Sequence, residues 1–173
     1  MQSHENAQEG PHLLRADIDL TAIGHNVAEL RRITRPSARL LVAVKANAYG
    51  HGAVPLARAA LTHGATDLGV ARIDEGIALR RAGITAPILI FGHTPAIRAA
   101  QLLDHRLTAS LFGLESAREL SAAAQALGQT VPVHIKIDTG MGRLGLPCDD
   151  LRPPGNSGDM AEIVQIERLP GLR

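Results

Sequence analysis

Five short apolar runs recur along the chain: LLVAV (40–44), DLGVA (67–71), PILIF (87–91), LTASL (107–111) and VPVHIKI (131–137). Runs of that length, bounded by polar and glycine-containing segments, predict buried strands. Each of the first four leads into a segment with helical signals. The segment 54–64 ends on Gly64, a helix-stopping position. The segment 74–83 opens on Asp74 as N-cap and stops at Gly83. The segment 94–105 opens on Thr94 with Pro95 in the first helical position, and 114–128 closes on Gly128. A further helix is predicted over 21–34, with a short strand, RADIDL (15–20), before it.

Strands alternating with helices define βαβ units and a parallel sheet. An open doubly wound sheet and a β/α barrel both fit that alternation. The fifth run favours the barrel, because Val133, Ile135 and Ile137 alternate with His134, Lys136 and Asp138. A central strand of an open sheet is covered on both faces and tends to be apolar throughout. A barrel strand can carry polar side chains into the barrel mouth. The fold class expected is α/β, a partial TIM-type (β/α)8 barrel. A full barrel takes about 250 residues, so the chain is expected to supply about five of its eight units. The expected organisation is a disordered tail over 1–12 and an incomplete barrel over 13–173, with RPPGNSGD as an insertion-like loop.

Composition narrows the function classes. The chain has 173 residues, a formal charge of +1 and 45% apolar residues, enough for one domain with a sizeable core. No basic run marks a nucleic-acid partner. No apolar stretch approaches the roughly 20 residues of a membrane span, and the polar N-terminus is no signal peptide, so the cytoplasm is the expected compartment. Cys148 is the single cysteine, which excludes an intrachain disulfide framework. No metal is assigned.

Two segments carry candidate chemistry. In LLVAVKANAYGHG (40–52), Lys45 ends an apolar strand and is followed by small residues, Tyr49, Gly50 and Gly52. Ligands of parallel β/α folds bind at the C-terminal ends of strands. Desolvation there disfavours the charged ammonium, and a neutral amine can attack a carbonyl to form a Schiff base. Tyr49 can offer its hydroxyl to an anionic group, and the glycines let backbone come close to a ligand. The alternative is a strand-end lysine that reaches into solvent. The second segment, HIKIDTGMGRLG (134–145), contains a G-x-G-x-x-G pattern. A dinucleotide fingerprint should open a helix after an apolar strand, whereas this one leads into Leu146 and Pro147 after a strand bearing His134 and Lys136. The glycines read better as a loop that folds Arg143 over the barrel mouth, where its fork of donors suits an oxygen anion or carboxylate. An inward Lys136 has to be paired, neutral or modified, and Asp138 is a candidate partner.

AVKANAYGHG (43–52) together with IKIDTGMGRLG (135–145) resembles the N-terminal barrel of alanine racemase, as do ADIDLTAIGHNVAEL and LGVARIDEGIALRRAGITAPILIFG. The resemblance covers roughly 14–146. It implies pyridoxal 5′-phosphate bound as a Schiff base to Lys45, which also serves as one acid–base. It implies Tyr49 on the cofactor phosphate, and Arg143 on the phenolic oxygen and near the substrate carboxylate. Lys136 matches a position that can carry a carbamate, an anion able to orient Arg143. The implied activity is interconversion of L- and D-alanine for the cell wall, by a homodimer. The family's second acid–base is a tyrosine of a C-terminal β domain, whereas Tyr49 is the only tyrosine here. The chain therefore resembles a front-half fragment lacking that domain, expected to be inactive in isolation. The alternatives are decarboxylation of basic amino acids on a similar barrel, a non-catalytic cofactor-binding module or inactive truncated product, and a dinucleotide-binding protein.

Overall fold

The computed structural model describes residues 16–147 and 158–173. The expected tail, Cys148 and most of the RPPGNSGD loop lie outside them. Three strands, β1 (Leu41–Ala43), β2 (Asp67–Val70) and β3 (Ile88–Ile90), form a parallel sheet in chain order. Leu41 pairs with Asp67, and Leu68 with Ile88. β4 (Ala109–Leu111) pairs in parallel with β5 (Val133–Ile135). The two sheets are joined by a bridge between Leu89 and Thr108, with Ile90 N–H donating to the Thr108 carbonyl at 2.9 Å. Five parallel strands thus follow one another in chain order, as the alternation predicts.

The helices are α1 (Leu20–Ile33), a single turn α2 (Lys45–Tyr49), α3 (Ala53–Thr62), α4 (Ile73–Arg81), α5 (Ala99–Asp104), α6 (Leu114–Ala126) and α7 (Gly158–Glu167). Each longer connecting helix turns one face to the strands. α3 buries Leu56, Ala57 and Ala60, and α6 buries Ala117, Leu120 and Ala124. β2 and β4 are buried along their whole length, as strands covered by helices must be. The core includes Leu68, Val70, Ile88, Ile90, Leu102, Leu107 and Leu120. Each large side chain of this kind contributes about 1.5–3 kcal/mol on burial.

Several local expectations are corrected. Residues 16–19 form no strand. Asp19 is instead the N-cap of α1, its Oδ1 accepting from the N–H groups of Thr21 (2.8 Å) and Ala22 (3.2 Å). Asp74 is not the cap of α4, which starts at Ile73. Glu75 reaches back to accept from the N–H of Arg72 at 3.0 Å, which leaves Asp74 to pair with Arg98 at 2.7 Å. Thr94 caps nothing. Pro95 is extended, a tight 3-10 turn at Ala96–Arg98 intervenes before α5, and the Thr94 hydroxyl is buried without a hydrogen-bond partner among the described residues. The fifth run breaks after β5 at Lys136, and β6 (Ile137–Asp138) pairs in parallel with β7 (Leu146–Pro147).

Candidate functional site

Lys45 lies one residue beyond β1. Val44 continues the ladder, its N–H donating to the Gly69 carbonyl at 2.8 Å, and its side chain is buried. The backbone then becomes left-handed: Ala46, Asn47, Ala48 and Tyr49 have φ between 51° and 56°. For residues with a β carbon this costs roughly 1–2 kcal/mol each, so the surroundings must hold the turn. The N–H of Ala48 donates to the Val44 carbonyl (2.9 Å), that of Gly50 to Ala46 (3.1 Å) and that of Gly52 to Asn47 (2.9 Å). The Asn47 side chain accepts from the N–H of Ala53 at 2.9 Å, tying the turn to the start of α3. Glu75 accepts from the N–H of Ala46 at 2.7 Å. Lys45 is left half-buried, its Nζ 5.6 Å from the centroid of the Tyr49 ring, within cation–π reach.

The second arm is built by Asp138. Its Oδ1 accepts from the N–H groups of Gly140 (3.0 Å) and Gly142 (3.1 Å), and its Oδ2 from that of Arg143 (2.9 Å). These backbone donors hold its carboxyl below the ordinary value of 3.8. Gly145 has φ +126°, and a β carbon there would lie 2.8 Å from the Asp138 nitrogen. The glycines therefore serve a tight loop, as expected, and lead into β7 rather than a helix. Asp138 is not the partner of Lys136, because its oxygens are occupied by the loop. Lys136 instead donates from Nζ to the Leu144 carbonyl at 2.6 Å. Among the described residues the Arg143 guanidinium has no hydrogen-bond or ion-pair partner.

Both arms border one cavity of about 580 Å³. Lys45, Tyr49, Lys136 and Arg143 all line it, so the four residues singled out by sequence share one site. His134, Ser110, Phe91 and Leu89 complete much of the wall, and among the described residues no carboxylate lines it. Lys45 and Lys136 are the only lysines in the chain, and both face this cavity. Two lysines and an arginine, with no carboxylate among the described lining residues, suit an anionic ligand. Ser110 is buried and donates to the Ile90 carbonyl at 2.6 Å, which fixes the wall between β3 and β4. Sequence reasoning missed Glu75 and Phe91. The signal for Phe91 was its place at the end of the third run. For Glu75 it was the N3 position of a helix that follows a strand.

The strands and helices define an α/β fold of parallel strands, with a cavity lined by basic side chains near the strand C-terminal ends. The chain belongs to the family described as alanine racemase, N-terminal domain, which matches residues 18–158. It is 50% identical over 161 residues to the alanine racemase of Desulfosudis oleivorans, covering 91% of this chain and 40% of that protein. It is 43% identical over 157 residues to the alanine racemase of Desulforamulus reducens, again covering 91% and 40%. Among solved structures, alanine racemase from Bacillus anthracis with bound L-Ala-P superposes with a TM-score of 0.79 at 34% identity, over 90% of this chain and 38% of that one. Alanine racemase of Clostridium difficile 630 in complex with cycloserine gives 0.76 at 32% identity, over 87% and 39%. The chain spans about 40% of the length of the curated relatives it matches.

Proposed function

We propose that this chain supplies the lysine-bearing front units, five of the eight of a β/α barrel over 13–173, of an alanine racemase that uses pyridoxal 5′-phosphate. The observation that carries the reading is the convergence of Lys45, Tyr49, Lys136 and Arg143 on one cavity with no carboxylate among its described lining residues. A phosphorylated aromatic aldehyde fits that donor set. It needs an amine for its carbonyl carbon, a hydroxyl donor for its phosphate and a cation for its phenolic oxygen, which Lys45, Tyr49 and Arg143 offer in turn. When bound, the cofactor supplies an electron sink for the pair left on the substrate α-carbon as its proton departs.

Each residue then has a defined task. Lys45 holds the aldehyde carbon and, once its amine is free, takes or returns the α-proton on one face. Tyr49 reaches the phosphate through its hydroxyl. Arg143 donates to the phenolic oxygen and to the substrate carboxylate, for which its guanidinium is free of partners among the described residues. Lys136 is the residue to carry a carbamate that would orient Arg143. The reading extends to a cytoplasmic homodimer that supplies D-alanine to the cell wall. Among the described residues no helix is long and apolar enough to cross a membrane.

The test is covalent. The protein is incubated with pyridoxal phosphate, reduced with borohydride and mapped by peptide mass. The label is expected on Lys45, and a label on Lys136 or on neither lysine overturns the reading. A second reading, cofactor binding without turnover, rests on Tyr49 being the chain's one tyrosine and already at the cavity. Formation of D-alanine by a protein containing this chain separates the two.

A further inference from the structure

The carboxylate of Glu75 uses both oxygens on backbone donors from two separate segments. Oε1 accepts from the N–H of Ala46 at 2.7 Å. Oε2 accepts from the N–H groups of Ala71 at 2.7 Å and Arg72 at 3.0 Å. Ala71 and Arg72 follow β2 directly, and Ala46 follows Lys45 directly. Ala46 is also the first residue of the left-handed turn. The N–H groups that open a helical turn lack partners within it, and a charged acceptor gives such a donor a stronger bond than a neutral one. Glu75 therefore holds the strained turn at its start and fastens it to the end of the neighbouring strand. The Lys45 backbone is fixed on one side by β1 and on the other by this bond.

We infer that Glu75 is a positioning residue, which sets the direction in which the Lys45 amine enters the cavity. It touches no ligand position itself and does not line the cavity. The inference rests on the proposed function for what Lys45 does there, but the placement of Lys45 can be read without any cofactor. Because Lys45 and Lys136 are the chain's only lysines, Lys136 is an internal reference amine.

The experiment compares the protein with Glu75→Ala, Glu75→Gln and, as a control for stability alone, Arg80→Met. Arg80 donates to four carbonyls, those of Ile84, Ala86, His105 and Arg106, away from the cavity. Three quantities are measured: exchange of the Ala46 amide, the ratio of Lys45 to Lys136 acetylation by limiting acetic anhydride, and the rate of borohydride-fixed pyridoxal phosphate attachment to Lys45. Glu75→Ala is expected to speed Ala46 exchange, shift the acetylation ratio and slow attachment by about tenfold. Glu75→Gln keeps one acceptor oxygen and should fall between. Arg80→Met should lower the melting temperature while leaving the ratio and the attachment rate within about twofold of the original, because one denaturation equilibrium serves both amines. An unchanged ratio and attachment rate in Glu75→Ala overturn the inference. No attachment to Lys45 in the unmodified protein overturns the proposed function instead, and the acetylation ratio and amide exchange still decide the role of Glu75.

Discussion

The Phe91 ring lies directly against Gly69, filling the space where a β carbon at position 69 would stand, with Leu41 Cδ2 only 2.9 Å from the same point. The absence of a side chain at position 69 of β2 thus admits the aromatic ring that follows β3 into the cavity wall. Gly69→Ala must displace Phe91 and is expected to destabilise the fold by roughly 1–3 kcal/mol, the usual result of overpacking. Phe91→Leu in the same chain should recover part of the loss. Chemical denaturation of both single variants and the double variant measures the coupling, and strictly additive losses would show that the two positions do not meet.

The left-handed turn gives a second expectation. Ala46 is exposed, so its substitutions report on backbone more than packing. Ala46→Gly should be neutral or slightly stabilising, because relief of the left-handed strain of roughly 1–2 kcal/mol per residue offsets the extra freedom of the unfolded glycine. Ala46→Val, with a branched β carbon, should be destabilising by at least about 1 kcal/mol. The order of the three melting temperatures checks this, and valine equal to glycine would contradict it.

Alternation of apolar runs placed the five parallel strands to within a residue or two, because strand burial is written in local composition. The four cavity residues were legible too, since Lys45 and Arg143 stand in compact segments with their glycines. The left-handed turn was not legible. Alanine is the strongest right-handed helix former, and what bends Ala46 the other way is a carboxylate 29 residues further along. The Asp74 cap failed for a related reason: its neighbour Glu75 had the longer reach and took the orphan donors. The break at Lys136 came from the glycine loop folding back to form β7, a pairing that no local pattern announces.

Asp138 makes the second arm sensitive to acid. Its folded-state carboxyl titrates below the ordinary 3.8, so its contribution is complete above that value and is lost as pH falls through the lower folded value. Amide exchange at Gly140, Gly142 and Arg143, corrected for intrinsic rates, should accelerate in that acidic window. Asp138→Ala should show the fast exchange already at neutral pH. Slow exchange in that variant would mean that the glycine loop holds itself.

Thr94 should behave unlike most buried polar residues. The residue is 7% exposed, and its hydroxyl has no hydrogen-bond partner among the described residues. Thr94→Val preserves the shape and removes the stranded oxygen, so it is expected to be neutral or stabilising by up to about 1 kcal/mol. A thermal melt decides, and a clear loss of stability would reveal a hydrogen bond made in solution.

The order of pairing along the chain carries a consequence for synthesis. Every β-ladder among the first five strands joins a strand to the one made just before it, and Glu75, which secures the Lys45 turn, is made soon after β2. Domains mature from the N-terminus as the ribosome delivers them at about 5–20 residues per second. The lysine arm can therefore close within seconds of its own translation, before Asp138 and the glycine loop have left the exit tunnel, so that the nascent chain presents a formed amine to which the arginine arm is added afterwards.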